Sequence, residues 1–251
     1  MKAPILIAAV LVAPGLLRAQ TVAQRVARAP DGVVRMTYAA RPGVCGNGSN
    51  ISTNAHDERD AQWENDCERG PVRLVFTKSG DSVSHVQVRV GSRWRADAPP
   101  ATDLGTVPAA EAATFLLDVA RRGTKSGDEA ILAAQLADSI EIWPRLLDIA
   151  KNKEVPAATR RRALFWLGQA AGDQVVEAMG NIANDAREDR DVRLAAVFGL
   201  SRRPADEAIP ALIRISDSDR DPEVRRQAMF WLSQSKDPRA VAWFEKVLTG
   251  R

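Results

Sequence analysis

One period governs the C-terminal half of this 251-residue chain. The segments RRRALFWLGQ (160–169), VRLAAVFGLS (192–201) and VRRQAMFWLS (224–233) superimpose so that Arg160, Arg193 and Arg225 align. Ala163, Ala196 and Ala228 align with them, as do Leu167, Leu200 and Leu232, at spacings of 33 and 32 residues. A second amphipathic stretch alternates with these: IWPRLLDIA (142–150), VVEAMGNIA (175–183), AIPALIRIS (208–216) and AVAWFEKVL (240–248). In it Leu146, Met179, Leu212 and Phe244 correspond, as do Ile149, Ile182, Ile215 and Val247, and FLLDVA (115–120) nearly copies RLLDIA (145–150). Two helices per 30–33 residues predict an α-solenoid, because one such unit cannot bury its apolar face alone. In this reading the arginine-bearing helix is the first of each pair and the other helix the second.

The arginine-bearing helices are apolar almost all the way round, as Leu164, Phe165, Trp166 and Leu167 illustrate, so each is expected to be wedged between neighbours. Asp189, Asp191, Asp219, Asp221 and Glu223 fall at or just before helix starts, where a carboxylate favours the positive end of the helix dipole. They can also pair with the arginines, with Glu154 placed to serve Arg160. The three consecutive arginines at 160–162 therefore read as structural rather than as a nucleic-acid contact. Overall charge agrees: of 35 basic and 32 acidic residues, Lys2 and Arg18 lie in the first 19 positions, which leaves 33 against 32 beyond them. No positive excess remains to serve a phosphate backbone, so no nucleic-acid partner is expected.

The pattern DPEVRRQAMFWLSQSKDPRAVAWFEKVL (221–248) resembles the HEAT-like repeats, especially the short variety named after phycobilisome lyases, and the resemblance covers roughly residues 109–250. It implies a mainly α fold, a solenoid of four to five helix pairs. In that family an Asp and an Arg six positions on often form a ladder between repeats. Asp219 with Arg225 fits this, Glu154 with Arg160 fits loosely, and Arg187 ahead of Arg193 breaks it. The family name implies pigment attachment in some members, which nothing in these residues carries. The family also implies a protein- or peptide-binding surface, with the second helices lining the concave side. Along them the column Asp118, Asp148, Asn181, Arg214, Lys246 runs from acidic to basic and could orient a partner by electrostatic complementarity. The parallel column Phe115, Arg145, Ala178, Ala211, Trp243 mixes sizes, and Trp243 reads as a contact anchor or an end cap.

Ahead of the repeats the period is two. Val34, Met36 and Tyr38 share one face of a strand, Val72, Leu74 and Phe76 another, and Val86, Val88 and Val90 oppose His85, Gln87 and Arg89. The last two strands join across Lys78-Ser79-Gly80-Asp81, which has hairpin chemistry. Between the first and second lies a Gly-, Asn- and Ser-rich loop with the chain's two cysteines, Cys45 and Cys67. Their wide spacing lacks the Cys-x-x-Cys arrangement of redox sites, and a structural disulfide is expected, contributing roughly 3 kcal/mol by loop entropy. Residues 20–96 thus read as a small antiparallel β module pinned by one disulfide, 97–108 as a Pro-punctuated linker and 109–251 as the solenoid. So few strands bury little, and the module is expected to pack against the rest of the chain.

Residues 1–19 begin with one Lys, continue through an apolar run at 5–17 and end on Ala19. That is the pattern of a secretory signal peptide cut near Ala19, and the run is too short for a hydrocarbon core of roughly 30 Å. A periplasmic or extracellular location is expected, with no stable membrane span after cleavage. Chemistry-bearing motifs are sparse. His56 and His85 are the only histidines, with no spaced group of the kind zinc prefers, and no nucleophile elbow, phosphate loop or dinucleotide fingerprint occurs. The expectation is an exported, non-catalytic protein- or peptide-binding scaffold or adaptor without cofactor or metal. The rivals are an enzyme or enzyme accessory with the loop 43–69 over a solenoid pocket, and a structural envelope component.

Overall fold

The computed structural model describes residues 20–53, 67–91, 93–95, 98–123, 126–169 and 173–250; the expected signal peptide and His56 lie outside the described residues. A helix that periodicity did not announce comes first, α1 (Val22–Arg28). Thr21 and Gln24 form a reciprocal capping box at its start, and Val22 and Val26 are buried.

Six strands follow: β1 (Gly32–Tyr38), β2 (Cys45–Asn47), β3 (Asn50–Ser52), β4 (Val72–Ser79), β5 (Ser82–Val90) and β6 (Thr102–Thr106). The main sheet has the order β5-β4-β1-β6, and β2 with β3 makes a separate small hairpin beside it. Val34, Met36, Tyr38, Val72, Leu74 and Phe76 are all buried, as alternation requires. On β5 the alternation changes phase at His85, which adopts φ 51° where the pairing with β4 slips by one residue. That bulge turns Val83 inward together with Val86 and Val90 and leaves Val88 only half-buried.

The expected linker 97–108 is not only a linker. Its centre is β6, which pairs parallel to β1, so the sheet is not purely antiparallel. TDLGT buries only Leu104, which leaves no alternation to read. The strand is held instead by backbone pairing, by Arg35 bonded to Asp103 at 2.9 Å and by the Val107 N–H donating to the Thr37 carbonyl at 2.8 Å.

The rest of the described chain is helical: α2 (Ala109–Arg121), α3 (Gly127–Gln135), α4 (Trp143–Lys151), α5 (Ala157–Leu167), α6 (Asp173–Asn184), α7 (Arg190–Ser201), α8 (Ala205–Ser218), α9 (Pro222–Ser233) and α10 (Pro238–Thr249). Leu167, Leu200 and Leu232 are fully buried, so the arginine-bearing helices do share one apolar interior. Sheet and array belong to the same core, which runs from Val22 to Trp243. Tyr38 links them: its buried hydroxyl donates to the Ala133 carbonyl of α3 at 2.8 Å, and burial pushes the phenol pKa well above its ordinary value.

The most extensive helix-to-helix packing joins α2 to α3, α4 to α5, α6 to α7 and α8 to α9, so each arginine-bearing helix packs most on the helix that precedes it in the chain. The two layers are spaced unequally. α5 packs on α7 far more extensively than α4 does on α6. Glycines permit it: a Cβ on Gly168 would stand 2.7 Å from the Gly199 carbonyl oxygen, and one on Gly199 would stand 2.9 Å from that of Leu164. We call α5, α7 and α9, the more closely packed layer, the inner layer and α4, α6, α8 and α10 the outer layer.

Candidate functional site

The conserved register of Arg160 and Arg193 has a structural use. Each Nε–H donates to a carbonyl in the last turn of the preceding outer helix, Arg160 to Ala150 at 2.9 Å and Arg193 to Ala183 at 2.7 Å. A cation at a helix C-terminus satisfies otherwise orphaned carbonyls and opposes the dipole's negative end. The remaining guanidinium nitrogens reach forward to an acid of the next unit. Arg160 grips both oxygens of Glu188, and Arg193 grips Asp219 at 2.6 and 2.5 Å. Arg225 instead donates to the Asp219 main-chain carbonyl at 2.7 Å. Glu154 is exposed and is not the partner of Arg160. A buried ladder thus exists, but it joins successive units through Glu188 and Asp219. Hydrogen bonds from Arg160 hold the Glu188 carboxyl below its ordinary pKa, against the opposing effect of burial. These arginines are used up inside the fold.

The graded column stands along the layer of α4, α6, α8 and α10. Asp148, Asn181, Arg214 and Lys246 are exposed there. Asp118, on α2, is half-buried and pairs with Arg145 of α4 at 2.6 Å. Trp243 is no contact anchor: it is buried, its indole N–H donates to Asp217 at 2.9 Å, and its ring meets Phe244 edge-on at 4.9 Å. Being amphipathic, it closes α10 onto the loop end of α8.

The inner layer presents a different feature, which the aligned segments contain but which reads there simply as core. Phe165, Phe198 and Trp231 recur at intervals of 33 on α5, α7 and α9, each only partly buried. Their rings form a continuous file: Phe165 stacks on Phe198 at 6.1 Å between centroids, and Phe198 meets Trp231 at 5.4 Å. Trp166 extends the file at one end, 5.1 Å from Phe165, and Phe230 extends it at the other, 5.0 Å from Trp231. Phe230 is 49% exposed. One turn before Phe165, on its side of α5, stand Arg161 and Arg162, whose nearest acids, Asp191 and Asp128, are 3.8 and 3.9 Å away. Arg226 stands likewise one turn before Phe230 and is largely exposed. Exposed pairs of this kind contribute little to stability, and their arginines remain available to an acidic partner.

A cleft between α1, the β4–β5 turn and α2 is lined by Lys78, Asp118 and Arg122 among others. Its charges are already engaged: Lys78 with Asp31 at 2.9 Å, Asp118 with Arg145, and Arg122 with the Asp81 carbonyl at 3.4 Å. Among the described residues no group of three or more His, Cys, Asp or Glu side chains is placed to hold a metal ion. His85 lies exposed on β5, its ring bonded to Ser84. Cys45 and Cys67 form the expected disulfide and tie the strand β2 to the chain entering β4. No helix among the described residues is long and apolar enough to cross a membrane.

Compared with known families, the chain matches a model described as HEAT repeats over residues 143–228 and 182–250. No curated protein matches it.

Proposed function

We propose, from the match of residues 143–250 to a model described as HEAT repeats, that the protein is a non-catalytic scaffold or adaptor that binds a protein segment along its inner helical layer. The observation that carries the proposal is the file of rings from Trp166 to Phe230, partly exposed and flanked by Arg161, Arg162 and Arg226. Partly exposed aromatics and arginines are the side chains that dominate interface energetics. Their combination favours a partner segment with apolar residues interspersed with Asp and Glu. We further infer export, on the leader pattern of residues 1–19 and on the Cys45–Cys67 disulfide, which persists in an oxidising compartment.

A second surface has its own support. Asp148, Arg214 and Lys246 are exposed along the outer layer, and a partner read by that charge gradient would leave the inner layer free. Photo-crosslinking separates the two. With p-benzoyl-phenylalanine placed at Phe230 or at Asp148 in the full chain, the inner-layer reading expects a discrete adduct from position 230 that Phe198→Ala and Trp231→Ala abolish. Adducts only from position 148, lost on reversing Asp148 and Arg214 together, would transfer the function to the outer layer. Retention of the chain in the cytosol after expression with residues 1–19 would overturn export.

A further inference from the structure

We propose that a small cavity at the junction of the β module with the array binds a carboxylate borne on a small apolar body. The cavity, ≈ 200 Å³, is lined by Arg41 from the segment after β1, Gln135 at the end of α3, Ile142 and Trp143 at the start of α4, and Trp166 and Gln169 at the end of α5. Its walls are pinned. The Arg41 N–H donates to the Leu136 carbonyl at 2.9 Å and the Asp138 N–H to that of Ala39 at 3.0 Å, so the module holds Arg41 over the array.

Two residues of this lining each carry a buried donor with no acceptor among the described residues: the Arg41 Nε–H and the Trp166 indole N–H. Trp166 as a whole is only 7% exposed. Buried N–H groups are paired in the great majority of folded proteins, so two orphans beside one cavity point to an acceptor that enters it. Arg41 also makes no ion pair among the described residues, whereas Arg160 and Arg193 both do. A carboxylate is acceptor-only and offers two oxygens, which suits a guanidinium and an indole N–H together. The apolar walls from Ile142, Trp143 and Leu146 suit a side chain rather than a fully hydrated inorganic anion. Trp166 is also the first ring of the inner-layer file, 5.1 Å from Phe165. The assignment of the carboxylate to a chain terminus therefore rests on the peptide-binding reading above, while a free small carboxylic acid would use the same chemistry without it.

The test uses the full chain labelled with ¹⁵N on its indoles, the Trp166 signal being assigned from Trp166→Phe. N-acetyl-leucine is titrated beside N-acetyl-leucinamide and inorganic phosphate. The free acid is expected to move the Trp166 indole signal while the amide and phosphate leave it in place. Arg41→Gln should weaken the acid roughly tenfold, the loss of about one charge-assisted hydrogen bond, and Phe198→Ala should not. A parallel panel of random nonapeptides, with free or amidated C-termini, identifies the source. Preference for free C-termini, lost in Arg41→Gln, assigns the cavity to a chain end. Binding of the free acid with no peptide bound keeps the cavity as a small-carboxylate site and removes the peptide reading. Peptides that bind equally well amidated, or an acid and amide that move the indole signal alike or not at all, overturn the cavity assignment and leave the inner-layer reading untouched. The acid–amide comparison needs no variant, so a misfolded Trp166→Phe would not blunt it.

Discussion

One guanidinium nitrogen of Arg193 lies 2.6 and 2.5 Å from the two carboxylate oxygens of Asp219, a residue 26 positions further along the chain and in the next unit of the array. The side chains are 6% and 1% exposed, so this is an ion pair inside the core, and its removal differs sharply from its replacement.

Cutting the pair on one side leaves an uncompensated buried charge. Asp219→Ala or Arg193→Ala is expected to lower unfolding stability by about 3–5 kcal/mol. Arg193→Ala combined with Asp219→Ala should lose less than the two single changes added together, by roughly 1–3 kcal/mol of coupling. Urea titration followed by far-ultraviolet circular dichroism measures all of these, and strict additivity would mean that the ladder does not couple the units.

The tight contact of α5 with α7 rests on hydrogen atoms where side chains would otherwise be. Gly199→Ala places a methyl against the Leu164 carbonyl and the Met179 sulfur and should cost about 1–3 kcal/mol. Gly180 lies in α6 with open space around its Cβ direction, and Gly180→Ala should raise stability by roughly 0.5–1 kcal/mol through helix propensity. Melting temperatures moving in opposite directions confirm the spacing. A loss at both positions, or a gain at both, contradicts it.

Several carboxyls sit below their ordinary pKa in the folded chain. Glu188 does so chiefly through hydrogen bonds from Arg160, and Asp237 is lowered to about 2 chiefly by the Arg239 side chain. The unfolded chain binds these protons first, so between the unfolded values near 4 and the lowered folded ones, about 2 for Asp237, it carries more protons than the native state. The stability they contribute is complete above about pH 5 and is lost as pH falls through that window. Calorimetry from pH 7 to 2.5 should show a plateau and then a decline, and Glu188→Gln should be less stable at pH 7 with a shallower acid decline. An unchanged slope in that variant would show that Glu188 does not contribute to it.

Much of this fold was legible as pattern. The spacing of Leu167, Leu200 and Leu232 located buried positions, because apolar residues recurring at a helical unit's length can only be satisfied by stacking. Val34, Met36 and Tyr38 did the same for β1 through a period of two, and two lone cysteines without a Cys-x-x-Cys spacing foretold their disulfide. The site was less legible. Phe165, Phe198 and Phe230 were in plain register with Trp231 beside them, yet the composition of a helix does not say which of its large side chains stay partly in water.

What the sequence by itself determined is therefore the repeat, its length and most of its interior, since these follow from side-chain periodicity along one chain. How closely the layers stack was settled only by three-dimensional packing. A periodic pattern carries no distance between units, whereas the glycine contacts between α5 and α7 make the two layers unequal. The same holds for β6, for the partnership of Arg160 with Glu188 and for the meeting of Arg41 with Trp166. Each depends on main-chain pairing or on contacts between distant segments, which leave no period behind in the residues that make them.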